Sequence, residues 1–357
     1  MIEKLTNSPM EYAWGSTHLI PDLIGFQETN TPIAEIWFGT HPLSTAVTET
    51  GVPLSQKTEL GFMVKFLAAA NPLSIQAHPT VAQARAGLEE EESNGVPIDA
   101  PSRIFKDKNH KPEILIAVSP FRVLSGFRPI DEINSELREL ASKDSRFSSW
   151  AEGDKNLRGH FDFVFKNLTD ETLAALAEHS ELASYLTEHY PNDRGVGIAF
   201  LLNEISLAPG EAVFLPAGNL HAYLQGLGVE VMAASDNVIR GGLTPKHVDV
   251  EKLKEITVFE SLNPKLGPTI LQRGLDHYEI GIDDFKVYRV EPSSQQLIAD
   301  IELPAEAIMV CVSGEVTVSN SLDERKTLVK GEACYISNDA RLVSFAGSGT
   351  AYLAIGN

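Results

Sequence analysis

The chain changes its hydrophobic pattern twice along its length, which limits the folds open to it. Residues 1 to about 125 consist mainly of short apolar runs broken by Gly, Pro and Asn, a pattern typical of β-strands. Residues 126–193 show helical spacing of apolar side chains, and strand patterns return from residue 195. The sequence therefore predicts a mainly β protein with an inserted helical domain. The clearest strand-like runs of the first part are 34–42, 63–70, 73–79 and 112–118, with a predicted helix at 80–92.

The helical part is predicted from two segments. In 131–140, apolar residues recur at helical spacing, and 170–186 is predicted to form a second long helix. The return to strand patterns then divides the chain into three units. We expect a discontinuous β domain of 1–125 and 194–258, a helical domain of 126–193, and a C-terminal β domain of 259–357.

One spacing pattern occurs twice in the chain. Residues 210–221 read Gly, five residues, Pro, four residues, His, and residues 331–342 read Gly, five residues, Ser, four residues, Leu. The second segment keeps the strand–turn–strand outline of the first but lacks its Pro and its His. We therefore expect the C-terminal domain to repeat the fold of the first β domain without its chemistry.

Composition excludes several classes of function. The chain has 29 Lys+Arg and 49 Asp+Glu, a formal net charge of −20. A protein with this charge lacks the basic footprint of a nucleic-acid binder and is not attracted to an anionic membrane surface. Two cysteines, Cys311 and Cys334, are too few for a disulfide framework, and no long apolar run predicts a membrane span. With no signal-peptide pattern apparent, we expect a cytoplasmic protein.

Four side chains are candidates for a metal site. Gln76 and His78 alternate on a predicted strand, so both side chains point to the same face. A lone histidine in a strand is usually an ordinary polar residue, so the site requires other ligands to converge on it. Glu113 begins the strand-like run 112–118, and His221 ends the segment 210–221. These two residues are the further candidates.

The segments that carry these residues resemble a known family. The Gly–Pro–His spacing of 210–221 is similar to the second metal-binding motif of the cupin superfamily. Together, LSIQAHP, NHKPE, PAGNLHAYLQG, EVMAASDNVIRGGLTPKHVD and AEIWFGTHP, spread over about 34–250, resemble type I mannose-6-phosphate isomerase (phosphomannose isomerase). Gln76 stands where cupins in general have a histidine. The resemblance implies a cupin-type β-barrel catalytic domain, a helical insertion and a second, degenerate cupin-like β domain.

The resemblance implies one Zn²⁺ per chain, held by Gln76, His78, Glu113 and His221. Imidazole and carboxylate ligands suit a borderline cation such as Zn²⁺, although Mn²⁺ and Co²⁺ are also compatible. One carboxylate and three neutral ligands leave the divalent ion with net positive charge, which suits a Lewis acid. No nucleotide cofactor is expected, because the chain has no Walker pattern and 195–200 (GVGIAF) lacks the third glycine of a dinucleotide loop.

Basic residues near these segments are candidates for binding an anionic substrate. Lys111 lies two residues before Glu113, so strand alternation points both into one pocket. By the resemblance, Arg240 is the active-site arginine, which we expect to stabilise negative charge on an enediol(ate) and to place the substrate. Lys111 and Lys246 are expected to share the contacts with phosphate and sugar oxygens.

Other polar residues complete the predicted pocket. Ser74, on the strand of the first two candidate ligands, is expected to contact phosphate, and Tyr223 is expected to line the same pocket. Glu230 and Asp236 are acidic candidates for the pocket, where a tuned carboxyl group can carry a proton. The sequence leaves the base open between Glu230, Asp236 and a lysine.

The resemblance implies a metal-dependent aldose–ketose isomerase that interconverts mannose 6-phosphate and fructose 6-phosphate through a cis-enediol(ate). Hydrogen moves within one substrate, so no redox cofactor is needed. The expected partner is a small hexose phosphate, and the oligomeric state is open. Two alternatives from other classes are a cupin-type Fe²⁺-dependent oxygenase and a non-enzymatic sugar-phosphate-binding cupin. Gln76 and the Lys/Arg set argue against the oxygenase.

Overall fold

Two ten-stranded sheets form the framework of the computed structural model, which describes residues 1–27 and 29–357. The strands are β1 (Ile2–Thr6), β2 (Glu35–Phe38), β3 (Val47–Thr48), β4 (Phe62–Ala69), β5 (Ile75–Ala77), β6 (Glu113–Ala117), β7 (Phe121–Phe127), β8 (Leu202–Leu207), β9 (Ala212–Leu215), β10 (His221–Ala233), β11 (Ile239–Gly242), β12 (Lys265–Leu266), β13 (Thr269–Gln272), β14 (Leu275–Tyr278), β15 (Phe285–Val290), β16 (Ile298–Glu302), β17 (Ala307–Asn320), β18 (Arg325–Val329), β19 (Ala333–Ile336) and β20 (Leu342–Gly356). The helices are α1 (Leu19–Ile24), α2 (Val81–Ser93), α3 (Ile130–Lys143), α4 (Ser148–Glu152), α5 (Leu157–Lys166), α6 (Asp170–His179), α7 (Glu181–His189), α8 (Gly195–Leu201) and α9 (Val250–Ile256). This is the mainly β fold with inserted helices that the sequence predicts.

The long strand β10 organises the first sheet. It pairs antiparallel with β4 and β6 in its second half and with β5 and β7 near its start. The strand changes partners at Gly226, which has φ +140°, and a Cβ there would lie 2.5 Å from the ring of Phe121. A larger residue is therefore excluded at this bend. Because β10 has neighbours on both sides along its length, it aligns residues from four other strands.

The repeated spacing pattern corresponds to a repeated local structure. Gly210 has φ +86° and Gly331 has φ +88°, so each forms a left-handed turn. Two residues later a four-residue strand begins, β9 in the first segment and β19 in the second. A long strand then starts at His221 in the first segment and at Leu342 in the second. The C-terminal domain thus repeats the cupin-like segment with an apolar residue in place of the histidine.

Strand pairing crosses the predicted domain boundaries. β1 pairs with β19 and with β3 in the C-terminal sheet, with Ile2 opposite Ile336. β1 thus joins the C-terminal sheet, although these first residues fall within the predicted N-terminal β domain; the domain bounds stay a prediction. β1 buries Ile2 and Leu5 in cores shared with C-terminal strands, a long-range pairing that strand periodicity alone does not specify.

The helical insertion extends beyond its predicted bounds. The predicted helix over 170–186 is two helices, α6 and α7, because Ser180 has an extended backbone and its side chain accepts a hydrogen bond from the N–H of Ala183 as the N-cap of α7. The return to strands at 195 is also wrong, since α8 occupies Gly195–Leu201 and all seven of its residues are buried. An apolar run of this length does not distinguish a buried helix from a strand.

The two cysteines lie in the core of the C-terminal domain. Both Cys311 and Cys334 are free and buried. Burial raises the pKa of Cys311 to about 11 and that of Cys334 to about 12. Because the thiolate is the reactive form, we expect neither thiol to react with an aromatic disulfide reagent at pH 8 in the folded protein. Titration should count two thiols only after addition of denaturant; rapid reaction in native buffer would contradict this burial.

Across the described part of the chain, no helix is long and apolar enough to cross a membrane.

Candidate metal centre and substrate cavity

Three neighbouring strands bring together residues that lie far apart in the sequence. β5 lies between β10 and β11, and Gln76 of β5 is paired with His221 of β10 on one side and with Arg240 of β11 on the other. Such cross-strand partners are direct neighbours on the sheet. β6 pairs with the distal part of β10 and begins at Glu113. The four strands therefore assemble predicted ligands and the predicted arginine at one place.

Two histidine rings and one carboxylate point at a common centre. Oε2 of Glu113 lies 3.4 Å from Nε2 of His78 and 3.4 Å from Nε2 of His221. All three side chains are buried, and their ligand atoms lie within 4.8 Å of one another. Within the described residues, Nε2 of His78 and Oε2 of Glu113 have no hydrogen-bond partner. Since buried polar atoms are normally paired, these converging lone pairs fit a bound cation.

Backbone carbonyls fix the tautomers of both rings. Nδ1 of His78 donates to the carbonyl of Asn237 over 2.7 Å, and Nδ1 of His221 donates to that of Asn219 over 3.0 Å. A carbonyl only accepts, so Nδ1 carries the proton and Nε2 presents a lone pair to the centre. Burial is the main cause that lowers the pKa of His78 to about 4. The ring is therefore neutral near pH 7, as a metal ligand must be.

Lys111 provides the counter-charge for Glu113. Its Nζ lies 2.9 Å from Oε1 of Glu113. Burial acts most strongly and favours the neutral acid, but attraction by Lys111 and then by His78 holds the pKa of Glu113 well below its usual value. Glu113 thus stays ionised, with Oε1 facing the lysine and Oε2 facing the two histidines.

Gln76 places its side-chain amide at the same centre. Nε2 of Gln76 lies 3.3 Å from Nε2 of His221. A half-turn about the last side-chain bond exchanges the amide nitrogen and oxygen at this position, and the oxygen is the atom with lone pairs to donate to a metal. The structure thus brings together the whole predicted ligand set: Gln76, His78, Glu113 and His221.

A cavity of about 690 Å³ opens beside the metal centre. Arg240 and Lys246 make one wall positive. The pKa of Lys246 is lowered by the charge of Arg240 first, then by burial and by the charge of Lys106. Burial lowers the pKa of Arg240, but a guanidinium stays charged at neutral pH. The predicted site residues that line this cavity are Ser74, Gln76, Lys111, Glu113, Tyr223, Glu230, Arg240 and Lys246.

Asp236 does not join this set, so its predicted contact with the substrate is not supported. It is absent from the described residues that line the cavity. Its Oδ2 lies 3.3 Å from Nε2 of His41, and its backbone N–H donates to Asp107. The hydrogen bond with His41 is the main cause that lowers the pKa of Asp236. Asp236 is therefore the ionised partner of His41, and the choice of base between Glu230, Asp236 and a lysine stays a prediction.

A buried ionic cluster around Lys65 was not assigned from the sequence. Lys65 of β4 is the cross-strand partner of Glu230 on β10 and of Trp37 on β2. Its Nζ lies 3.1 Å from Oε2 of Glu230, 3.2 Å from Oε1 of Glu35 and 4.8 Å from the centroid of the Trp37 ring. The hydroxyl of Tyr223 donates to Oε1 of Glu230 over 2.8 Å. The sequence does contain a feature that indicates this cluster, since Lys65 is a single lysine inside an apolar run. A lysine buried in such a run is almost always paired with an acidic residue.

The pKa values of the residues in this cluster are shifted by different causes. Burial opposes the ammonium of Lys65 most strongly, yet attraction by Glu35 and Glu230 holds its pKa above the ordinary lysine value. For Glu230 burial dominates, and its pKa is raised despite the attraction of Lys65. Burial, followed by Glu230, raises the pKa of Tyr223, so the phenol keeps its proton. Glu230 is thus a cavity carboxyl group that takes up a proton more readily than an exposed glutamate.

The helical insertion also contributes to the cavity wall. His189 and Tyr190, at the end of α7, line the cavity, and the hydroxyl of Tyr190 donates to the carbonyl of Pro72 over 2.8 Å. No local motif indicated either residue.

Tyr12 and Trp14 line another part of the cavity with ring centroids 5.6 Å apart. Two aromatic residues close together in a polar N-terminal segment could have indicated that this segment lines the cavity.

The fold and the site together define a metal-binding protein of the cupin type. A family model described as phosphomannose isomerase type I, catalytic domain, matches residues 46–130. The mannose-6-phosphate isomerase of Salmonella typhimurium is 34% identical, with 98% of each chain covered. The chain therefore belongs to the type I phosphomannose isomerase family. The human mannose-6-phosphate isomerase is 31% identical, with 88% of each chain covered.

Solved structures extend the similarity to the whole chain. The mannose 6-phosphate isomerase of Salmonella typhimurium bound to the substrate fructose 6-phosphate and zinc has a TM-score of 0.90 and 33% identity, covering 100% of this chain and 99% of its own. The apo form of the same enzyme has a TM-score of 0.89 and 34% identity, with the same coverage. The C-terminal domain is included in this match, as it is in the 98% of the chain that the sequence match covers.

Proposed function

We propose that the protein is a zinc-dependent aldose–ketose isomerase that interconverts mannose 6-phosphate and fructose 6-phosphate. The observation that carries this proposal is the convergence of Nε2 of His78, Nε2 of His221 and Oε2 of Glu113 beside a cavity with a positive wall. Membership of the isomerase family supports the same activity over the oxygenase and the non-enzymatic cupin. The cavity volume lies within the range of about 300–1,000 Å³ that small-molecule sites occupy.

The four converging side chains would hold the metal: Gln76, His78, Glu113 and His221. Their lone pairs, the neutral state of His78 and the ionised state of Glu113 fit a zinc ion, and relatives are described with zinc bound. Bound zinc supplies a Lewis acid that favours negative charge on a substrate oxygen. The rest of the chemistry belongs to side chains of this chain.

Arg240 and Lys246 are proposed to orient the substrate. Together they form a positive wall in a chain with a net charge of −20. A phosphate is held by such paired cations, and the planar guanidinium also binds two oxygens at once. Ser74 and Tyr223 line the same cavity. The Ser74 hydroxyl can donate to a phosphate oxygen, whereas the Tyr223 hydroxyl, which donates to Glu230, can accept from a sugar hydroxyl. The phosphate contact thus fixes which carbon atoms of the open-chain sugar face Glu230.

Glu230 is proposed to carry the proton, with Lys111 stabilising charge on oxygen. The carboxylate takes the proton from C2 of the open-chain aldose. The C–H electron pair becomes the C1–C2 double bond while the π pair of the C1=O1 carbonyl moves onto O1, which gives the cis-enediolate. The proton then returns to C1, and the hydroxyl proton moves from O2 to O1 to give the ketose. Lys65 and Tyr223 hold Glu230 in place through both of its oxygens, and its raised pKa suits proton uptake.

The experiment that tests this proposal uses the zinc-loaded protein. It is incubated with fructose 6-phosphate, and mannose 6-phosphate is measured by ¹³C NMR. We expect equilibrium between the two sugars, with no oxygen consumed. Absence of mannose 6-phosphate from a sample with one zinc per chain would contradict the isomerase. Oxygen uptake by an iron-loaded sample would instead support the oxygenase.

Removal of the Arg240 guanidinium is expected to slow the reaction without removing the metal. Loss of one preorganised electrostatic donor costs about 10²–10³ in kcat, or about 2.7–4 kcal/mol, so Arg240→Ala should show a loss of that size. Steady-state kinetics with fructose 6-phosphate measures it. The matched control is Arg122→Ala, because Arg122 pairs with Glu204 at the surface. A kcat of Arg240→Ala within twofold of the parent would remove Arg240 from the chemistry.

A cytoplasmic location stays a prediction. The two free, buried cysteines are consistent with a reducing compartment.

A further inference from the structure

One asparagine contacts both the metal centre and a neighbouring loop. Asn237 lies between β10 and β11 and is fully buried. Its carbonyl accepts the Nδ1–H of His78 over 2.7 Å. This bond determines the ring orientation of His78, because the ring has its other nitrogen at the metal centre. The position of the Asn237 backbone therefore sets the position of one ligand.

The side chain of Asn237 fixes that backbone to the segment 106–109. Its Oδ1 accepts from the N–H of Lys106 over 2.7 Å and from the N–H of Asp107 over 3.3 Å. Its Nδ2 donates to the carbonyls of Asp107 and Asn109, each over 2.9 Å. The side-chain amide of Asn237 thus accepts through Oδ1 and donates through Nδ2, so its own polar atoms and the backbone groups that they face are hydrogen-bonded.

The segment 106–109 immediately precedes two residues of the site. Lys111 and Glu113 follow it, and they form the ion pair at the metal centre. Asp107 strengthens the same junction, because its carboxylate accepts from the hydroxyl of Ser235 and from the N–H of Asp236. A single buried junction therefore connects the strand that carries Glu113 with the carbonyl that holds His78.

We propose that Asn237 is a positioning residue of the metal centre: it holds His78 through its carbonyl and the segment before Glu113 through its side-chain amide, so that zinc affinity depends on a residue that does not bind zinc. This proposal rests on the proposed function only in taking zinc as the metal. Removing a hydrogen-bond partner of a metal ligand typically costs about 10–100-fold in metal affinity. Replacing the side-chain amide of Asn237 keeps this carbonyl but loosens the bonds that hold it in place, so we expect a loss near the lower end of that range, about tenfold.

The main test compares the zinc affinity of Asn237→Asp with that of the parent. The aspartate has the same shape and keeps the oxygen that accepts from Lys106 and Asp107. It loses the donor, however, and its carboxylate faces the carbonyls of Asp107 and Asn109 and also the carboxylate of Asp107, to which Nδ2 of Asn237 donates over 3.2 Å. The junction is therefore weakened without a cavity. Zinc Kd is measured at 25 °C by competition with a chromophoric chelator, and thermal unfolding is recorded for the same samples.

The matched control is Asn134→Asp. Asn134 also joins two segments with its amide, since Nδ2 donates to the carbonyl of Lys155 over 3.1 Å and Oδ1 lies 3.0 Å from Nε2 of His160. It belongs to α3 in the helical insertion, so its loss is expected to lower Tm and to leave zinc Kd within twofold of the parent. A merely structural role for Asn237 would give this same result.

The outcomes separate the two proposals. A rise in Kd of tenfold or more in Asn237→Asp alone supports the positioning role. A Kd within twofold of the parent would overturn it, and a parent protein that binds no zinc would overturn both it and the proposed function. Should Asn237→Asp not fold, Asp107→Asn decides, because this half-buried residue supports the same junction: a Kd raised at least threefold supports the role, and an unchanged Kd overturns it.

Discussion

A His221→Ala variant is expected to lose its zinc and nearly all of its isomerase activity. His221 is fully buried and presents Nε2 to the metal centre, 3.4 Å from Glu113. Loss of a ligand's hydrogen-bond partner already costs about 10–100-fold in metal affinity, so loss of the ligand itself should cost more. Zinc per chain after gel filtration, measured by atomic emission, should fall well below that of the parent, and turnover of fructose 6-phosphate should fall with it.

The control for this variant is His160→Ala. His160 is equally buried, but its ring lies in the helical insertion between Trp150 and Asn134. Its removal also leaves a buried cavity, which is expected to lower stability. Zinc content should stay at the level of the parent. Full zinc content in His221→Ala would show that His221 is not a ligand.

The sequence points to the proposed metal ligands partly through local rules. Strand alternation places Gln76 and His78 on one face, and a turn before His221 repeats a recognisable spacing. The convergence of these strands with Glu113 was predictable only through the family resemblance. No periodicity states that Gln76 pairs with His221 on one side and Arg240 on the other, because strand pairing is set by packing over the whole sheet.

Other parts of the molecule depend on contacts that a local pattern does not contain. Asp236 has the chemistry of a base, but its partner His41 lies far away in the sequence, and no local pattern predicts that pair. β1 looks like any N-terminal strand, yet its partner β19 lies in the C-terminal domain. The buried helix α8 is apolar on all sides, so it lacks the amphipathic spacing that identifies surface helices.

Lys65 is an unusual residue in an apolar run, and its role can be assigned only from the residues that surround it in the structure. A single charge in an apolar run indicates either a strand edge or a buried ion pair. The structure shows a buried ion pair, because β2 and β10 flank β4 and place Glu35 and Glu230 within 3.2 Å of Nζ of Lys65. The charge therefore has two compensating partners, and Lys65 itself lines the cavity.

Replacement of Lys65 by methionine is expected to destabilise the protein by about 3–5 kcal/mol near neutral pH, because it leaves buried carboxylates without their cation. The comparison is Lys143→Met, which removes a lysine that pairs with Glu139 in an exposed position. Exposed pairs contribute about 0–1 kcal/mol, so Lys143→Met should stay near that range. The free energy of unfolding in urea measures both changes, with chelator present so that metal binding does not enter.

The pH dependence distinguishes loss of charge compensation from loss of packing. In the parent, the pKa of Lys65 is raised, so its contribution is complete at and below neutral pH and is lost only as pH rises above the ordinary lysine value. In Lys65→Met, Glu35 and Glu230 lose their cation, and the folded pKa of Glu230, which burial already raises, rises further above the unfolded one. The folded variant then binds protons more readily than the unfolded chain, and its deficit should shrink as pH falls from 8 to about 5. A deficit of equal size at both pH values would mean that Lys65 stabilises the fold through the packing of its side chain on Trp37 rather than through its charge.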